Sequence, residues 1–154
     1  MEEFLYKEDK CPYKRQCVGH ILFMAGSRFR AFDASRIPNE PHLESENENG
    51  LVKVETLSHL TKNGQRPERR GRVLQVVATA VWITGRPWAK KWLQLRKELG
   101  LEAQKWGCLQ PNIDGDWRPI VNSTMPSTKV TEIVRNFLKV EMPEARFPEE
   151  VLTK

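Results

Sequence analysis

Apolar residues recur at helical spacing in CVGHILFMAGSRFRAFDASRI (17–37), where Val18, Ile21, Leu22 and Ala25 predict one buried side. Gly26-Ser27 interrupts the pattern, and Ser27 is placed to cap a second short helix whose apolar side includes Phe29 and Phe32. Pro38 and Pro41 stop it, and the polar, acidic stretch 39–50 reads as a surface loop. The period then changes to two. In LVKVETLSHL (51–60), Val52 and Val54 alternate with Lys53 and Glu55, and VLQVVATAV (73–81) is a second apolar strand. Between them 61–72 carries the turn signal Asn63-Gly64, so the pair predicts a hairpin with a long basic tip.

After Gly85 the helical period returns. Trp88, Trp92, Leu95 and Leu99 form a stripe, with Lys90, Lys91, Arg96 and Lys97 assigned to the wet side and Gly100 closing the helix. Residues 101–126, with Pro111, Asp114-Gly115-Asp116 and Pro119, read as loop. Ser127 is placed to cap a last helix with Val130, Ile133, Val134, Phe137 and Leu138 inward, and 139–154 reads as a frayed tail. The expected class is therefore α+β: a helical N-terminal part, a small antiparallel β-hairpin or three-stranded sheet, and two further helices. Residues 1–16 are expected to be an extension outside the folded unit 17–138.

Charge sharpens this picture. The 154 residues carry a formal net charge of +5, and it is unevenly spread. Residues 60–107 hold 11 basic and 3 acidic side chains, net +8, while 1–59 and 108–154 are net -2 and -1. A basic block between near-neutral flanks suits a phosphate surface, because Lys and Arg that displace counterions supply most non-specific nucleic-acid affinity. The alternative is a solvated helix face beside a basic turn. No apolar run is long enough for a membrane helix, and the acidic start MEEFLYKEDK is unlike a signal peptide, so nucleus or cytoplasm is expected. Cys11, Cys17 and Cys108 have no zinc spacing, and no metal or cofactor is expected.

No self-contained catalytic motif is present: there is no phosphate-binding glycine loop, G-x-S-x-G or H-E-x-x-H. His20 reads as a packed helix residue, His42 as a loop residue, and His59 as the one histidine near a plausible site, beside Lys62. The order of elements is more informative. An apolar helix runs into Arg30-Ala31-Phe32-Asp33 with Ile37 four residues beyond the aspartate, and a basic hairpin carrying Lys62 follows. This resembles the first half of the catalytic domain of tyrosine recombinases of the phage-integrase type, in particular those of eukaryotic mobile elements. In that family an Arg-x-x-Glu/Asp-x-x-x-Leu/Ile box follows an apolar helix, and a β-hairpin then supplies a lysine. Arg30, Asp33 and Ile37 match the box; Arg28 is a rival whose +3 residue, Ala31, breaks it.

What the resemblance implies is DNA strand breakage and rejoining, in which a tyrosine attacks a backbone phosphate, arginines bracket the non-bridging oxygens and a lysine protonates the leaving oxygen. A planar guanidinium meets two equatorial oxygens at once, which is why arginine suits the role. The resemblance implies Arg30 and Lys62 as a remnant catalytic set. Arg66, Arg69, Arg70, Arg72, Lys90 and Lys91 are the expected contacts to double-stranded DNA, with room for a homo-oligomer. His-x-x-Arg is absent, and Tyr6 and Tyr13 both precede the arginine box, so the expectation is a truncated, DNA-binding domain without catalysis of its own. Two readings from other classes stand beside it: a non-enzymatic nucleic-acid binder using the same hairpin, and an interaction module whose helix 87–99 meets an acidic protein. Locally, Arg30 and Asp33 could form an i,i+3 ion pair, Lys62 could be an ordinary turn lysine, and the five tryptophans could be core rather than base-stacking residues.

Overall fold

Helix α1, Pro12–Ser27, begins with proline at a position where the missing N–H costs nothing and is buried without a break from Arg15 to Met24. A helix enclosed on all sides belongs to the core rather than to the surface. The computed structural model describes residues 1–45, 52–58 and 73–141. Around α1 lie a 3₁₀ turn at Glu2–Tyr6, the short helix α2 (Ala31–Ser35) and strands β1 (His42–Ser45), β2 (Val52–Ser58) and β3 (Leu74–Thr79). Helices α3 (Trp88–Glu98) and α4 (Ala103–Trp106), strands β4 (Pro111–Ile113) and β5 (Pro119–Thr124), and helix α5 (Ser127–Glu141) follow. The protein is thus a small α+β fold with five α-helices and two antiparallel sheets among the described residues, ordered β1-β2-β3 and β4-β5. No helix among these residues is long and apolar enough to cross a membrane.

The larger sheet is one-sided. Val54 pairs with Ala78 and Thr56 with Val76, all four buried, whereas Lys53, Glu55 and Leu57 take the opposite face. The buried face meets α1, where Gly26 brings the helix so close that an added Cβ would lie 3.1 Å from Ala78 Cβ. On its other side α1 packs on α3. Trp88 and Trp92 are fully buried, Trp92 stacks on Phe23 at 5.4 Å, and Gly19 leaves the space that the Trp92 ring fills. Each such indole removes roughly 200 Å² from water, about 5 kcal/mol of gross transfer energy. Core packing, and not base stacking, is the role of these two tryptophans.

Five sequence expectations are corrected. The first helix starts at Pro12, not at 17, and the segment 1–16 is integral: Phe4 and Leu5 are buried, and Phe4 meets Phe137 of α5 edge to face at 5.0 Å. The stretch 39–50, read as a loop, contains β1, which pairs with β2 from His42↔Glu55 to Ser45↔Val52. The stretch 101–126, also read as loop, contains α4 and the β4–β5 hairpin; its turn is as expected, with Asp114 Oδ1 accepting the backbone N–H groups of Asp116 and Arg118 at 2.9 Å. Arg96, assigned to solvent, is fully buried. The last helix has Val130, Ile133 and Phe137 inward, as its spacing predicts, but it runs to Glu141, so residues 139–141 are helix and not the start of the expected tail.

Candidate nucleic-acid interface

The junction between α1 and α2 presents two arginines to solvent, and its geometry follows from how α1 ends. Phe29 N–H bonds Met24 C=O at 3.1 Å and Arg28 N–H bonds Ala25 C=O at 3.3 Å. This is the Schellman pairing, with Phe29 and Met24 packed into the same apolar cluster. It places Arg28 at φ +54°, ψ +28°, the left-handed region in which a side chain is strained and glycine is preferred. Arg30 follows at the N-cap of α2 with an extended backbone, and its C=O accepts the Ala34 N–H at 2.8 Å. Both arginine side chains are exposed, and among the described residues neither makes an ion pair. The i,i+3 pair between Arg30 and Asp33 is not formed. Asp33 and Ile37 are buried beneath the short helix, while Arg30 stands clear of it.

A buried polar frame fixes α2. Ser35 Oγ lies 3.3 Å from His20 Nε2 of α1, and Ser35 C=O accepts the Gln110 N–H at 3.1 Å. The Gln110 side chain carboxamide oxygen accepts from Gln16 Nε2 at 2.9 Å, and its own Nε2 donates to Pro111 C=O at 3.0 Å. Burial, reinforced by the Arg96 charge, lowers the His20 pKa to about 3, so the ring is neutral at pH 7 and acts as a packed core residue. Burial also pushes the Cys17 thiol up to about 12 and raises Cys108, which disfavours the reactive thiolate at both. Tyr6, half-buried under Arg86 at 5.3 Å, has its pKa raised, chiefly by burial.

The remaining expected site residues divide. Lys90 is exposed on α3, and Lys91 is half-buried with its ammonium 3.6 Å from Glu8 in the N-terminal segment. Arg30 and the two lysines belong to different packings. Helix α2 lies against α5, whereas α3 lies against α1, the 3₁₀ turn and β1. Lys62, Arg66, Arg69, Arg70 and Arg72, with His59, lie outside the described residues. The flanking strands are in register to the pair Ser58↔Leu74, so this basic segment connects the ends of an antiparallel pair, as the hairpin reading expects.

The residue that sequence reasoning missed is Arg96. Its Nε and Nη2 bond Glu40 Oε1 and Oε2 at 2.6 and 2.9 Å, its Nη1 bonds Leu109 C=O at 2.7 Å, and Nη2 also bonds Leu101 C=O. Glu40 Oε2 accepts the Ala103 N–H as well, at 2.6 Å. This bidentate pair therefore ties the chain after α2 to α3 and to the start of α4. With Arg96 buried and Lys91 paired, only Lys90 and Lys97 of the four α3 cations are exposed and without an ion pair among the described residues, which weakens the case for α3 as a face for an acidic protein. Searches against family models, curated proteins and solved structures each find no match to this chain.

Proposed function

We propose that this chain is tyrosine-recombinase-like and binds the phosphates of double-stranded DNA. The observation that carries the reading is the pairing of an exposed Arg30, without an ion pair among the described residues and held on a buried polar frame, with a following three-stranded sheet whose β2–β3 connection contains Arg66, Arg69, Arg70 and Arg72. The order helix, arginine box, three-stranded sheet, helix supports the family reading. Desolvated or paired arginines are poor phosphate ligands, and among the described residues Arg30 is neither. These 154 residues contain no His-x-x-Arg and no tyrosine after the box, so strand cleavage is not expected of them alone.

The test is fluorescence anisotropy with a labelled duplex across a salt series. Binding should weaken steeply with salt, and each lost phosphate contact should flatten the log–log slope by about 0.9. Arg69→Ala with Arg70→Ala should weaken binding on all sequences alike, and Arg30→Ala should do so by a smaller step. Absence of binding at low salt overturns the proposal. Binding that ignores Arg30 but needs the hairpin arginines favours the non-enzymatic binder over the recombinase-like reading.

A further inference from the structure

The outer face of the three-stranded sheet gathers three metal-ligating side chains. His42 and Glu44 sit two residues apart on β1 and so share a face, and Glu55 lies directly opposite His42 on β2. His42 Nε2 is 3.6 Å from Glu44 Oε1 and 3.5 Å from Glu55 Oε1, and the three ligand atoms all lie within 4.8 Å of one another. For metal–ligand bonds of about 2.0–2.2 Å, the edge of a tetrahedron is about 3.3–3.6 Å. The two separations from His42 therefore match those of atoms sharing one tetrahedral ion, and they are long for direct hydrogen bonds.

Two further features favour a site over a chance meeting of surface charges. Glu55 is the anchored member, its side chain only 12% exposed, and Gln75 Nε2 of β3 donates to its Oε2 at 2.7 Å. That bond orients the carboxylate and leaves Oε1 facing His42, which is how outer-sphere partners aim a ligand. The other two side chains are more than half exposed, so an ion reaches them without unfolding the sheet. One imidazole and two carboxylates suit a borderline divalent first-row ion, and three protein ligands leave a position for water. Lys53 pairs in register with Glu44 and is the one cation on this patch among the described residues.

We propose that His42, Glu44 and Glu55 form an open zinc site on the outer sheet face. The inference is independent of the DNA-binding reading. Titration calorimetry with zinc chloride, on metal-stripped protein in a Cys11→Ser background that removes the exposed thiol, should give one-to-one binding in the micromolar range. His42→Ala should abolish it, Glu55→Gln should weaken it at least tenfold, and Lys53→Met should tighten it by reducing competition for Glu44. Because His42 is exposed, His42→Ala should keep the urea midpoint of the parent, which separates ligand loss from misfolding. No heat of binding, or binding of equal strength in His42→Ala, overturns the proposal.

Discussion

Glu40→Gln removes one charge from the Arg96 pair while keeping its size, and the structure sets the magnitude. Arg96 is fully buried and donates four hydrogen bonds, two of them to Glu40. The glutamine cannot repeat the bidentate geometry, since its amide nitrogen would face a guanidinium donor, and an uncompensated charge would remain in the core. Breaking a buried pair from one side costs about 3–5 kcal/mol. Folded domains hold about 5–15 kcal/mol in total, so the variant should lose a large share of its stability. For a chain of this size that corresponds to a fall in Tm of roughly 6–20 °C. Arg96→Met should also destabilise, through the orphaned Leu101 and Leu109 carbonyls, but Glu40 has 22% of its side chain exposed and can regain water. The double variant removes the stranded charge, so its loss should be smaller than the sum of the singles by about 1–3 kcal/mol. Urea unfolding at pH 7 measures all four states. A Glu40→Gln loss below about 1 kcal/mol, or strictly additive singles, would refute the account of Arg96 as a buried clamp dependent on Glu40.

Three further outcomes are expected. Gly19→Ala puts a Cβ 2.1 Å from Trp92 Cδ1 in a ring already packed on Phe23 and Trp88; unfolding should show a loss of about 2–3 kcal/mol despite alanine's better helix propensity, and a neutral result would mean that Trp92 has room to move. Arg28→Gly relieves a left-handed side chain and should raise stability by about 1 kcal/mol, seen as a Tm increase of a few degrees; a decrease would show that the arginine side chain stabilises the junction. His20 binds a proton at about pH 3 in the native state and near 6.5 when unfolded, so its contribution is complete above pH 6.5 and is lost as pH falls toward 3. Between pH 6.5 and 5 this amounts to about 2 kcal/mol at most, and His20→Gln should flatten that part of the stability profile even if it lowers the whole curve.

Which features the sequence displays depends on whether their cause is local. Helix α5 and strands β2 and β3 bury one face each, so their apolar residues repeat at the period of the element and stand out along the chain. Strand β1 has no such cause. Of HLES only Leu43 is apolar, and it is 38% exposed; these residues are extended because β2 supplies the partners, not because their own pattern requires it. The zinc candidate is invisible for the same reason, since Glu55 joins His42 and Glu44 only through cross-strand register. Arg96 is the instructive case. It stands at i+8 from Trp88 and i+4 from Trp92, on the buried stripe of α3, and position alone would place it inside. Residue type argued for solvent, and the acid that makes burial tolerable lies 56 residues earlier, in a stretch whose charges look like those of a surface loop. Arginine can be buried when a carboxylate and carbonyls take up its fork of donors. A charged residue on the apolar stripe of a helix is therefore best read as a demand for a distant partner, and here that partner is the lone acid in the turn between α2 and β1.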